Sequence, residues 1–397
     1  MPLAAPPMMK AERHYGMDWL RIGAFAILIV YHIGMVFVPW GFHAKAVHTL
    51  DWVTIPMLLV SPWRLTLLFL VSGYATRALL KRTSGIGPFV RGRSARLLVP
   101  LLFGVLVIVP PQPWVELVMQ HGYGEGFGRF LATAYLRFGA IEGVVLPNWN
   151  HLWFVGYLWI YTLALAALAY LPGLARVQRV FDRTFGDWRA LVLPLLWLFA
   201  TQIVLFTRWT DTHDVIGDGV AHLAFFPAFL FGFGLAGSPR VMAALVRLWQ
   251  PAAVMALGGY LVAAVTQLLW PGMATPPAWV GEALLWARQV QCWAAIVALI
   301  GLAERYLNRD QPWRARLTEA VFPCYLLHQT VIVVVAYWLA PIGLPSGGQF
   351  AVLLATTVGA CWAFYAIGRE IGWLRPLIGL RRHARPARQL ALEPALI

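Results

Sequence analysis

A chain of 397 residues that is 60% hydrophobic and only 12% charged, with a mean hydropathy of +0.67, is too apolar for a soluble globular protein, where about a quarter of residues are charged. It reads as an all-α, polytopic integral membrane protein. The formal net charge of +14 does not point to nucleic acid, because the basic residues fall mostly between hydrophobic runs, where membrane topology accounts for them.

In chain order, residues 1–16, MPLAAPPMMKAERHYG, are polar and Pro-rich and predict a cytoplasmic tail. The apolar run that follows is too long for a signal-peptide core and has no small-residue cleavage site behind it, so it is expected to be a retained span. At about 20 mostly apolar residues per spanning helix, ten spans are predicted: 17–39, 53–80, 97–113, 151–172, 190–207, 219–236, 251–270, 283–303, 318–340 and 350–373. The second contains Pro62, a source of a kink. Together they predict one transmembrane domain over 17–373, followed by a basic cytoplasmic tail over 374–397. Twenty-five of the 31 Lys and Arg residues fall on one side of this scheme and four, Lys45, Arg129, Arg137 and Arg208, on the other; Arg64 and Arg288 lie within spans. The positive-inside rule then puts both termini in the cytoplasm. The outer segments hold acids, among them Glu116, Asp211, Asp214 and Asp218. The longest, about 114–150, carries HGYGEGFG and LPNWNH and is expected to be a structured loop that shapes a binding site. Cys292, Cys324 and Cys361 lie in apolar segments without a CxxC pair or a nearby His, which predicts neither a disulfide nor a metal site.

Ionisable groups inside spans are costly unless they face a partner or a wet cavity, so they are the first candidates for function. The opening span, MDWLRIGAFAILIVYH, holds three. Asp18 and Arg21 lie in its first turns on the cytoplasmic side, spaced as an ordinary helix pair. His32 lies 15 residues in, about 22 Å along the helix, in the outer half of the bilayer. A neutral imidazole there is either a satisfied core residue or a proton-transfer group. His328, in FPCYLLHQTVIVVVAY, is placed near the middle of the ninth span, while His151 and His222 open the fourth and sixth spans from outside. This placement allows three of these groups to converge on an outward-facing cavity. Ser72, Gly73 and Tyr74 offer two hydroxyls and a close helix approach, the commoner use of small residues in spans. The loop VRGRSARLLVP presents Arg91, Arg93 and Arg96 at the cytoplasmic mouth, either as ordinary topology charge or as a clamp for a phosphate-bearing ligand.

In this order, these motifs resemble those of the membrane-bound acyltransferase 3 family. The likeness is carried by Arg21 and, after ten intervening residues, His32; by Ser72-Gly73-Tyr74; by Arg93-Ser-Ala-Arg96; by HLWFVGYLW at 151–159; and by EAVFPCYLLHQT at 319–330. The last stretch is most similar to the branch that places succinyl groups on periplasmic glucans. The resemblance implies a multi-pass protein of the bacterial inner membrane that moves an acyl group, acetyl or succinyl, from cytosolic acyl-CoA to a hydroxyl of an extracytoplasmic carbohydrate such as a periplasmic glucan. It implies His32 as general base, with the oxyanion donor open among Tyr74, His328 and a backbone amide. Contacts to acyl-CoA are expected from Arg21, Arg93, Arg96 and Ser72, and to the acceptor from His151, Trp153 and Asp18. The partners implied are the donor, the carbohydrate and the lipid bilayer. No Ser or Cys stands beside His32 in sequence, which favours direct transfer over an acyl-enzyme. Arg288 is a candidate for the carboxylate of a succinyl chain, or else a partner of Glu282. The alternative is a secondary transporter or flippase of a polar or carbohydrate substrate, which ten spans with buried ionisable groups also fit.

Overall fold

The computed structural model describes residues 14–205, 214, 215 and 217–382. Residues 1–13 of the predicted N-terminal tail, Arg208 and Asp211 of a predicted outer segment, and the C-terminal tail beyond 382 lie outside the described residues. The first predicted span forms one unbroken helix, α1 (Tyr15–Gly34), which holds no Pro and buries Met17, Leu20, Ala24, Leu28 and Tyr31 at three- and four-residue spacing along one side.

The second predicted span breaks into α2 (Thr54–Val60) and α3 (Arg64–Lys81). Pro62 has no N–H to donate, and side chains take up the carbonyls freed at the break. Leu58 O and Leu59 O accept from Gln291 Nε2 at 2.9 and 3.1 Å, Leu59 O also accepts from Trp63 Nε1 at 2.7 Å, and Ser61 O accepts from Arg64 Nη1 at 2.8 Å. The third predicted span is longer than its hydropathy suggests. α4 (Ile86–Phe103) starts well before residue 97, passes through a π-helical turn at Gly104–Ile108 and bends by 41° into α5 (Pro111–His121). The bend falls at the cluster Pro110, Pro111 and Pro113, where donors are missing.

The predicted outer loop is structured. It holds α6 (Phe127–Phe130) and a hairpin of β1 (Gly139–Ile141) and β2 (Val144–Leu146), with Ala140 opposite Val145. Leu117, Phe130, Tyr135, Val144 and Leu146 form its own small core. Beyond it come α7 (Trp153–Tyr170), α8 (Leu174–Phe185), α9 (Arg189–Leu205), α10 (Gly219–Leu235), α11 (Pro239–Leu269), α12 (Ala278–Tyr306), α13 (Arg314–Leu339), α14 (Ser346–Glu370) and α15 (Leu374–Leu377). α11 begins twelve residues before the predicted start at Pro251, because Ser238 caps it, its Oγ accepting from Val241 N at 3.2 Å, and Pro239 suits its first turn.

Among the described residues, seven helical segments are long and apolar enough to cross a membrane, or eight if the bent α4–α5 pair is one span. Each of the ten predicted spans is helical over most of its described residues; 206 and 207 of the fifth lie outside them. However, α9 and α10 have 17 residues each and rise only about 25 Å, short of a roughly 30 Å hydrocarbon core. The chain is thus a multi-pass, helical membrane protein.

α1 stands between two packed halves. Phe25, Ile29 and Ile33 enter one core with residues of α7, α13 and α14; Met17, Leu20 and Ala24 enter the other with residues of α3, α10, α11 and α12. α3 and α10 meet backbone to backbone. A Cβ at Gly73 would collide with Phe229 O, and one at Gly232 with Leu70 O.

Candidate active site

The C-terminal end of α1 carries His32 against His328 of α13. His328 Nδ1 lies 2.7 Å from Tyr325 O, and a carbonyl only accepts, so that nitrogen holds the proton. His328 Nε2 is then the acceptor for His32 Nδ1 at 2.8 Å. Assigned from these partners, neutral His32 has its proton on Nδ1 and its lone pair on Nε2. His328 is fully buried, whereas His32 lines a cavity of about 780 Å³ with Arg64, Asn148, Asn150, His151 and Trp153.

His151 joins the same cluster, its ring 5.1 Å from that of His328. Its Nε2 donates to Tyr325 O and Leu326 O, both at 3.2 Å, and the Tyr325 hydroxyl donates back to His151 O. Buried Gln112 connects three elements: its Nε2 donates to Thr330 Oγ1 at 2.7 Å, and its Oε1 accepts from Asn150 Nδ2 and Gln329 Nε2, each at 3.0 Å. Fully satisfied buried networks of this kind hold side chains in one geometry. The loop after α1 closes one wall through Phe42 and His43. Lys45 anchors that loop, its Nζ donating to Met35 O and Trp40 O at 2.7 Å and also to Val38 O. Partial burial lowers the Lys45 pKa to about 8.

A second cavity, about 1610 Å³, opens at the other end of α1. Asp18, Arg21, Tyr74, Arg77 and Arg247 line it. Asp18 is ion-paired with Arg314, and Arg21 Nη2 donates to Thr318 O at 3.0 Å. Arg21, Arg93 and Arg96 lie within electrostatic range of one another, and Arg381 within range of Arg96. Arg21 Nε and Arg93 Nε are buried without a hydrogen-bond partner among the described residues.

Residues 14–366 match the profile of the acyltransferase 3 family, described as an acyltransferase domain. The chain belongs to this family. It is similar to two proteins named glucans biosynthesis protein C. The one from Salmonella gallinarum (strain 287/91 / NCTC 13346) is 20% identical over 340 residues, covering 84% of this chain and 86% of that protein. The one from Escherichia coli O6:K15:H31 (strain 536 / UPEC) is 23% identical over 147 residues, covering 37% of this chain and only 36% of that relative's length. No solved structure matches significantly.

The acyltransferase thus brings His32, His328, His151 and Trp153 together and separates them from the other residues singled out in the sequence. Tyr74, expected as a donor beside His32, lines the other cavity, because it lies ten residues, about 15 Å, along α3 from Arg64. Asp18, expected at the acceptor, is likewise at the far end of α1. Ser72 lines neither cavity, and its neighbour Gly73 serves the α3–α10 crossing. His222 stands apart from the histidine cluster: its Nε2 donates to Val215 O at 2.7 Å and its Nδ1 accepts from the Tyr161 hydroxyl at 3.1 Å. Sequence reasoning passed over Gln112 and gave Arg64 no role. The signal for both was a polar side chain in an apolar run, masked at Gln112 by the flanking prolines.

Proposed function

We propose that this membrane acyltransferase moves an acyl group, acetyl or succinyl, from cytosolic acyl-CoA to a hydroxyl of an extracytoplasmic carbohydrate, with His32 as general base. The observation that carries the reading is the His32–His328 pair, which leaves an unprotonated Nε2 on a residue lining a cavity. His32 takes the proton of the acceptor hydroxyl as its oxygen attacks the thioester carbonyl carbon. The C–O bond forms, the C–S bond breaks, and the departing CoA sulfur receives the proton from His32. Such proton transfer contributes about 10²–10⁴-fold. His328 positions His32 and accepts from its Nδ1–H while Nε2 carries the transferred proton. Its own Nδ1–H is held by Tyr325 O. This makes it a positioning residue, since its buried ring does not reach the cavity.

The donor's phosphates are assigned to the arginine cluster, where the unpartnered Nε atoms of Arg21 and Arg93 favour an anionic ligand. Arg21 and His32 are eleven residues apart on one helix, about 16 Å, a separation that an extended pantetheine arm spans. Two relatives named for glucan biosynthesis make a glucan the first acceptor to try. The basic-residue asymmetry supports cytoplasmic termini in a bacterial inner membrane, with the arginine cluster inside and His32 outside.

The test is transfer in proteoliposomes, with labelled acyl-CoA on one side and glucan on the other. Labelled ester is expected on the glucan only when the donor is on the side of Arg93. Movement of glucan with no acyl-CoA requirement and no ester product would overturn the reading.

A further inference from the structure

Two guanidinium groups inside the bundle have no acidic partner among the described residues. Arg64 is the first residue of α3, set by the break at Pro62 so that it lines the His32 cavity. Its guanidinium carbon lies 3.7 Å from the centroid of the Tyr31 ring, and its Nη1 donates to Ser61 O. Its Nε is buried with no partner. Arg288, on α12, stands within electrostatic range of both Arg64 and Tyr31. Glu282, the acid nearest to Arg288 in sequence, is exposed and is not among the groups that act on it. Asp214, the one acid lining this cavity among the described residues, accepts from Gly217 N at 3.2 Å and pairs with neither arginine.

Two like charges held together away from water are unfavourable unless an anion joins them. A guanidinium stacked on an aromatic face keeps its edge free for a planar, forked acceptor. Arg64 is also close to the proposed base: Tyr31 is 6.0 Å ring to ring from His32, so guanidinium and imidazole are at most about 10 Å apart. That space accommodates a hydroxyl at hydrogen-bond distance from His32 and an acyl chain with an acid at its far end.

We propose that Arg64, backed by Arg288, is an anion site of the His32 cavity that holds a substrate carboxylate. It rests on reading this cavity as the place of acyl transfer. Two sources carry that chemistry, the free end of a dicarboxylic acyl group and an acidic group on the acceptor carbohydrate.

The experiment uses the full chain in detergent micelles and in proteoliposomes. Succinate should raise the unfolding temperature of the wild type and neutral succinamide should not. The succinate shift should vanish in Arg64→Gln, weaken in Arg288→Gln and persist in Arg129→Gln, an exposed control. In transfer, a carboxylate on the acyl chain predicts that Arg64→Gln lowers the succinyl-CoA to acetyl-CoA rate ratio by about tenfold or more, the effect of losing one charge-assisted contact. A carboxylate on the acceptor predicts an equal fall with both donors that is confined to acid-bearing glucan. No succinate shift in the wild type, or the same shift in Arg64→Gln, overturns the site. If neither donor supports transfer, the acyl-CoA reading falls, while the succinate arm still decides the anion site. If Arg64→Gln does not fold, Arg288→Gln and Arg64→Lys decide it, both being required to weaken the succinate shift.

Discussion

His32 is suited to the proposed role of base by what stands behind it. A backbone carbonyl fixes the proton of His328 on Nδ1, and that choice fixes the tautomer of His32. His328→Leu removes the acceptor for His32 Nδ1–H, so kcat should fall by about 10²–10⁴-fold with little change in KM. His328→Gln should restore part of the loss, because an amide can both donate to Tyr325 O and accept from His32. Steady-state kinetics of the two variants checks this, and a Leu variant as active as wild type would contradict it. His32 was legible in the sequence as an ionisable group deep in a span, and so was His328. Their pairing was not, since 296 residues separate them and only the packing of α1 on α13 brings them together. Gln112 was hidden for a related reason: PQPW reads locally as a turn, and the partners that give the amide its role lie 38 to 218 residues away.

At the scale of elements, breaks and close crossings place the site. Pro62 announced the break between α2 and α3, but not that Gln291, Trp63 and Arg64 would satisfy its carbonyls, nor that the break would turn Arg64 into the cavity. The π-helical turn after α4 and the early start of α11 were illegible to a hydropathy count, which measures apolar length and not helix continuity. Ser72-Gly73-Tyr74 read either as a source of hydroxyls or as a packing motif. The crossing of α3 and α10 at Gly73 and Gly232 gives Gly73 the packing role. Gly73→Val should therefore cost about 3 kcal/mol or more of stability, because the clash is with backbone and no side chain can yield. Gly23→Ala, whose Cβ would meet no atom within 4 Å, should stay within about 0.5 kcal/mol of wild type. Thermal unfolding in micelles distinguishes the two, and equal melting temperatures would contradict the crossing.

Across the whole molecule, α1 links two cavities of different character. One end, with Asp18 and Arg21, faces a wide, basic cavity; the other, with His32, faces a smaller one walled partly by Asn148 and Asn150. The spacing from Arg21 to His32 was legible in the sequence as a length. The cavities at its ends were not, because they are formed by helices distant in the chain. With donor binding and chemistry proposed at opposite ends of this helix, the two should separate on mutation. The most direct test measures acyl-CoA binding and single-turnover transfer together in His32→Ala and Arg93→Ala. His32→Ala should lose transfer by about 10²-fold or more with donor affinity nearly unchanged, and Arg93→Ala should weaken donor binding about tenfold. Transfer at the wild-type rate in His32→Ala would contradict the account.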